Sequence, residues 1–227
     1  MSSRLRVFSS SVGTKLLIGL TGLALVLYLI THIAGNLLVF LGRDVFNQYS
    51  HTLLSNPLIP VIEVGLVLVF VLHIYKAVTM YVSNQRARPV RYQHKKRAGP
   101  PSRKSVSSTT MILSGLWLLL FVIIHVKTFK FGPEYEAPGS GIRDLYRVEM
   151  ENFSHPLIVG FYLLSMLVVG SHLWHGVSSA FQSLGADQPR WTPRLLVAGR
   201  ILAVLIAGAF MFIAVWAYVI QAGRVRV

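Results

Sequence analysis

Apolar residues run through this chain in five long blocks, not at the three-to-four spacing of a helix with one buried face. The blocks cover about residues 15–41, 57–84, 108–131, 154–184 and 195–221, and each ends at charge or at Gly/Pro punctuation. A bilayer span needs roughly 20 mostly apolar residues, so every block is long enough to cross one. Inside hydrocarbon only helices and closed barrels satisfy the backbone. These runs are far longer than the roughly 10-residue strands of a membrane barrel. The pattern predicts an all-α integral membrane bundle of five transmembrane helices. Residues 1–227 form a single domain, because no linker is long enough to separate two cores. The first block exceeds a signal h-region in length, and no small-residue cleavage pattern follows it. There is no fixed-period repeat and no low-complexity segment.

Composition agrees with the pattern. Mean hydropathy is +0.58. Charged residues are 13% of the chain, about half the share in a soluble domain. The net charge of +14 is unevenly placed. Arg4, Arg6 and Lys15 precede or open the first helix. Arg86, Arg88, Arg91, Lys95, Lys96, Arg97, Arg103 and Lys104 crowd the loop between helices two and three, with no acid among them. Arg190 and Arg194 stand against Asp187 in the loop before helix five. The opposite side is mixed, with Lys127, Lys130, Arg143 and Arg147 against Glu134, Glu136, Asp144, Glu149 and Glu151. The positive-inside bias then predicts a cytoplasmic N-terminus and an external C-terminus. Anionic lipid explains the basic loop better than nucleic acid does, so no nucleic-acid partner is expected. The absence of cysteine excludes disulfides, iron–sulfur ligation and c-type haem attachment by this chain.

Four histidines lie inside four different apolar blocks: His32, His73, His125 and His172. The predicted topology sorts them by depth. His32 and His125 lie toward the outer ends of helices one and three, and His73 and His172 in the inner halves of helices two and four. At ~1.5 Å of rise per residue, His32 sits ~25 Å above the inner mouth and His73 ~12–16 Å above it, so the pairs are offset by roughly 10 Å. Two imidazoles from facing helices can hold a b-type haem without a covalent link. A single intramembrane histidine also suits a helix–helix hydrogen bond or a proton relay. Four of them, one per helix and paired by depth, point to two haem b groups. A tetrahedral zinc site needs ligands converging at one depth, which two separated pairs do not offer.

The same residues carry a resemblance. The stretches Ser11–Lys15 (SVGTK), Thr31–Asn36 (THIAGN), Glu63–His73, Ile124–Val126 (IHV), His172–Gly176 (HLWHG) and Ser179–Gly185 (SAFQSLG) occur in this order. As an ordered set they resemble the cytochrome b membrane-anchor subunit of succinate dehydrogenases and fumarate reductases, in its single-chain, five-helix, two-haem form. The resemblance runs from Ser11 to the end of helix five. It implies that His32 with His125, and His73 with His172, are the axial ligands. His175, one turn from His172, is then a neighbouring or propionate-binding group, or the axial ligand in place of His172. Ser10, Ser11 and Lys15 become propionate partners by the same resemblance. It further implies a flavoprotein subunit carrying FAD, an iron–sulfur subunit, and electron transfer to a membrane quinone, usually menaquinone. The chain would be an enzyme only as a subunit of that complex, in a bacterial cytoplasmic membrane. The basic loop and the segment Leu184–Pro193 would face the iron–sulfur subunit.

Other polar positions have two readings each. Glu63, about two turns into helix two, is a candidate for proton exchange with a quinone near the outer haem, or an acid hydrated in the headgroup region. Lys76, one turn from His73, either pairs with an inner-haem propionate or snorkels. Arg200 is expected to snorkel. Gly13, Gly19, Gly22 and Gly35 allow close approach of a haem edge or another helix. Trp117, Trp174 and Trp216 serve as interfacial anchors or packing groups. His51, His94 and His155 are expected in solvent. Two rival functions remain. One is a di-haem cytochrome b of another respiratory complex, disfavoured because helix five carries no histidine. The other is a haem-free proton relay or transporter, disfavoured because no helix has a central proline.

Overall fold

A computed structural model describes residues 10–87, 106–186 and 188–224. Seven principal helices follow one another: α1 Ser11–Asn36, α2 Arg43–Leu54, α3 Ile59–Arg86, α4 Met111–Phe129, α5 Leu145–Asn152, α6 Pro156–Ser183 and α7 Thr192–Arg224. A single helical turn, Val106–Thr109, precedes α4. Five of the helices are long and apolar enough to cross a membrane: α1 with its extension to Leu41, α3, α4, α6 and α7. The chain is therefore an all-helical, multi-pass membrane protein.

The ends of the spans differ from expectation for local reasons. The first helix begins at Ser11, not near residue 15, because the Ser10 hydroxyl accepts the Gly13 N–H at 3.0 Å and caps it. Its last turn tightens into a 3₁₀ segment, Leu37–Leu41. Gly42, at φ +97°, then turns the chain aside. A backbone in that region favours glycine, which has no Cβ to clash. Proline opens α3 and α6 within the first turn, where its missing N–H removes no helical bond.

Two short helices, α2 and α5, were not expected from the apolar pattern. They pack against each other over the Leu41 end of the bundle. Asp144, fully buried, ties them together. Its carboxylate accepts bonds from the Arg43 guanidinium, from Asn47 Nδ2 at 2.7 Å and from the Arg147 N–H at 3.1 Å, capping α5. Asn47 in turn accepts the Tyr146 N–H at 2.9 Å. Burial alone would raise the Asp144 pKa, but these donors outweigh it and hold the acid below its ordinary value.

The spanning helices form an unequal bundle. Helix α6 packs most extensively on α7, then on α1 and α4, while α1 also carries α3. The main core runs along α6 and α7 through Val159, Met166, Val169, Leu173, Ala203, Ile206 and Ala214. Helix α3 has no buried residue, and Phe121 is the one buried residue of α4. Apolar side chains such as Val61, Val67 and Leu157 point outward, as a lipid-facing surface requires.

Candidate functional site

The two loosely buried helices carry two of the four candidate histidines, His73 on α3 and His125 on α4. Helices α1 and α4 do not pack closely on each other, and neither do α3 and α6. Each histidine pair spans one of these open separations. The ring centroids of His32 and His125 are 5.9 Å apart, with the planes at 87°. His73 and His172 are close enough for their charges to interact. Each pair thus joins a histidine of α1 or α3 to one of α4 or α6, while α1 and α6 themselves pack together.

Each inner histidine is oriented by a hydroxyl on a helix packed beside its own, α1 for His73 and α4 for His172. The Thr21 Oγ1 lies 3.0 Å from His73 Nδ1, and the Ser114 Oγ lies 2.9 Å from His172 Nδ1. The direction of these bonds follows from proton supply. Thr21 gives its one hydroxyl proton to the Leu17 carbonyl at 2.6 Å, and Ser114 gives its own to the Met111 carbonyl at 3.0 Å. A hydroxyl that donates to its own helix accepts from the imidazole, an arrangement that favours the Nδ1–H tautomer. The Ile18 backbone also lies close enough to the His73 imidazole to act on it. Each Nε2 is left with a bare lone pair, the form in which histidine ligates a metal.

A glycine follows each hydroxyl. A Cβ at Gly22 would stand 3.3 Å from His73 Cε1, and one at Gly115 would stand 3.8 Å from His172 Cε1. The outer pair has aromatic walls instead. Tyr28 stacks on His32 at 5.3 Å, and Phe210 lies 5.7 Å from it. Phe121 stacks on His125 at 5.5 Å. The Tyr162 hydroxyl is 3.3 Å from His125 Nδ1.

These features fit a b-type haem at each pair. Two metal–imidazole bonds of ~2 Å, with each ring centroid ~1 Å behind its nitrogen, separate the centroids by ~6 Å, and the outer pair stands at 5.9 Å. Among the described residues no three His, Asp or Glu side chains converge as a metal-ion site. Axial ligation of a haem needs only two.

The other candidate residues are distributed as follows. His175 lies near His172 and lines a cavity of about 170 Å³ between α6 and α7, with Trp174, Ser178, Gln182 and Arg200. Arg200 stacks over Trp174 at 5.3 Å. Ser10 caps α1, Ser11 begins it and Lys15 follows one turn later. Lys76 lies one turn beyond His73, its ammonium 5.8 Å from the Tyr75 ring. Glu63 is not an isolated buried acid. It is 38% exposed, forms an ion pair with Lys130 and acts electrostatically on Tyr28, the ring stacked on His32. Trp117 is not an interfacial anchor but donates to buried Ser165 at 3.1 Å. Trp216 packs against Phe40, with ring centroids 4.8 Å apart. Gly35 faces Tyr49 of α2, where a Cβ would stand 2.6 Å from the tyrosine hydroxyl oxygen and 2.9 Å from its Cε1. Gly19 faces the Ala180 carbonyl of α6 at 3.3 Å. His94 and the basic loop around it lie outside the described residues.

Thr21, Ser114 and Tyr162 were not singled out by the sequence reading. The available signal was a hydroxyl followed by glycine in an apolar run, Thr21–Gly22 and Ser114–Gly115. No protein-family model, curated protein or solved structure matches the chain.

Proposed function

We propose that this chain is the membrane anchor and electron-transfer subunit of a succinate:quinone oxidoreductase, holding two b haems on His32/His125 and His73/His172. The observation that carries the haem reading is the pairing itself: each pair bridges two helices that otherwise scarcely meet. The ordered motifs of the chain support the choice of complex. A bound haem would supply a one-electron carrier at each depth. The chain's own residues do the rest. Thr21 and Ser114 fix the inner imidazoles in the Nδ1–H tautomer, Gly22 and Gly115 leave room beside them, and the aromatic rings around His32 and His125 exclude water.

The positive-inside asymmetry places the Ser10 end in the cytoplasm and the C-terminus outside. The iron–sulfur subunit then docks at the Ser10 end, and a flavoprotein subunit lies beyond it. Glu63, with Lys130 and Tyr28, stands beside the outer pair, where it exchanges protons with a quinone, menaquinone by the resemblance. The test is a reduced-minus-oxidised spectrum with pyridine haemochrome quantitation on the purified chain and on variants of the four histidines. Two b haems per chain, one lost with either member of a pair, is the expected result. A haem-free chain refutes the proposal.

A further inference from the structure

Glu149 lies on α5, in the cap over the Leu41 end, outside the spanning segments. It is 4% exposed, among buried Val148, Met150 and Phe153. No hydrogen bond or ion pair reaches its carboxyl among the described residues. Its charge acts on Tyr162 of α6, whose hydroxyl is 3.3 Å from His125 Nδ1. A carboxyl, a phenol and an imidazole therefore run in order from the cap to the outer histidine pair.

The neighbouring charges are largely engaged elsewhere. On α5 itself Arg147 pairs with Glu151 at 2.7 Å. On α2 Arg43 is held by Asp144, and Asp44 and His51 are the other titratable groups beside Tyr49. Helix α4 brings His125 and Lys127, with Lys130 at its end paired to Glu63. Helix α6 brings His155 at its start as well as Tyr162, and α7 brings Tyr218. An ionised carboxyl without a partner in apolar surroundings is costly. Burial pushes the Glu149 carboxyl up to about 8, so it is neutral at pH 7 and close to its titration point.

We propose that Glu149 is a redox-linked proton site: its carboxylate takes up one proton from water at the Leu41 end when the charge held between His32 and His125 becomes more negative, and returns it when that electron leaves. The inference rests on the haem reading. The balance is one proton gained by one carboxylate oxygen per electron gained at the outer pair, with no other bond made or broken. The sign follows from Coulomb's law. Added negative charge favours the neutral acid, so reduction raises its proton affinity. At pH 6 the acid is protonated in both redox states and the coupling is silent. Through pH 8 and above it ionises in the oxidised form first, and uptake accompanies reduction.

The experiment is a potentiometric titration of the two haems of the full chain in detergent between pH 6 and pH 9.5, for the native protein and for Glu149→Gln and Glu149→Asp. The expected result is an outer-haem midpoint that is level near pH 6 and falls as pH passes 8. The fall is lost in Glu149→Gln and retained in Glu149→Asp. An unchanged pH dependence in a folded Glu149→Gln protein overturns the proposal while leaving the haem reading intact. A native chain that binds no haem overturns the haem reading, and this inference with it. The redox-difference infrared spectrum of the native protein at pH 8.5 supplies a second readout that needs no variant. A protonated-carboxyl C=O band should appear on reduction, and its absence refutes the role.

Discussion

The tautomer argument makes a quantitative prediction for Thr21→Val and Ser114→Ala. Each substitution removes the hydroxyl that accepts from an inner imidazole, at 3.0 Å from His73 and 2.9 Å from His172. Thr21→Val keeps the β-branched shape, so packing against α3 is preserved. A buried N–H left without its acceptor costs roughly 1–3 kcal/mol. Loss of an outer partner of a ligating histidine weakens metal binding by ~10–100-fold. The two variants should not be equal. The Ile18 backbone lies close enough to His73 to take over as acceptor, so Thr21→Val falls at the low end, about tenfold. For His172 the Ser114 hydroxyl is the acceptor seen in the structure, so Ser114→Ala falls nearer 100-fold on the same scale. In the proposed arrangement both would act on one haem, so the double variant should deviate from the product of the singles. The assay is haem transfer to excess apomyoglobin, followed at the α-band of each haem. The inner haem should leave faster in the order native, Thr21→Val, Ser114→Ala, while the outer haem is unchanged. Equal retention in all three, or a loss confined to the outer haem, refutes the assignment of Nε2 as ligand.

Three further outcomes follow from neighbouring features. Gly22→Leu places a Cβ 3.3 Å from His73 Cε1 and a branched chain beyond it; pyridine haemochrome should show one haem instead of two in a protein with native helical circular dichroism. Asp144→Asn leaves Arg43 and the first turn of α5 without their carboxylate acceptor, which should destabilise the cap by about 3 kcal/mol, read as a lower thermal midpoint at pH 7. The difference should shrink as pH falls through the folded-state pKa of Asp144, because an acid held below its ordinary value contributes stability above the unfolded pKa and loses it on protonation. Glu63→Gln should spare haem content and slow quinone reduction, measured as quinone-dependent reoxidation of the dithionite-reduced chain; unchanged rates count against the role of Glu63.

The fold was legible where lipid imposes its own grammar. A spanning helix must stay apolar for its whole length, so the five spans stood out, and the boundary errors were of a few residues at caps such as Ser10. Helices α2 and α5 were not legible on that basis. They are short and polar, and they exist because Asp144, Asn47 and Arg43 close a network across about a hundred residues of sequence. Depth alone paired the four histidines, since position along a straight helix is height. What depth does not contain is azimuth. Which residue of α1 touches α3 is set by rotation about the helix axis, and so Thr21, Ser114 and Tyr162 went unnoticed. The same missing angle hid the ion pair between Glu63 and Lys130.

The orientation of the hydroxyls also separates the two main functional readings. A histidine in a proton relay must exchange protons through both ring nitrogens, so its Nδ1 partner has to accept a proton at one step and donate one at another. Thr21 and Ser114 each commit their only proton to a carbonyl one turn back in their own helix. Either would have to break that bond before it donated to the imidazole. The inner histidines are therefore favoured in the Nδ1–H tautomer, which leaves Nε2 as the ligating nitrogen. That arrangement suits a fixed pair of ligands and works against a relay. It also accounts for histidines on α3 and α4, the spanning helices that contribute least to the buried core, because a group held between the paired histidines would itself fill the space that their side chains leave open.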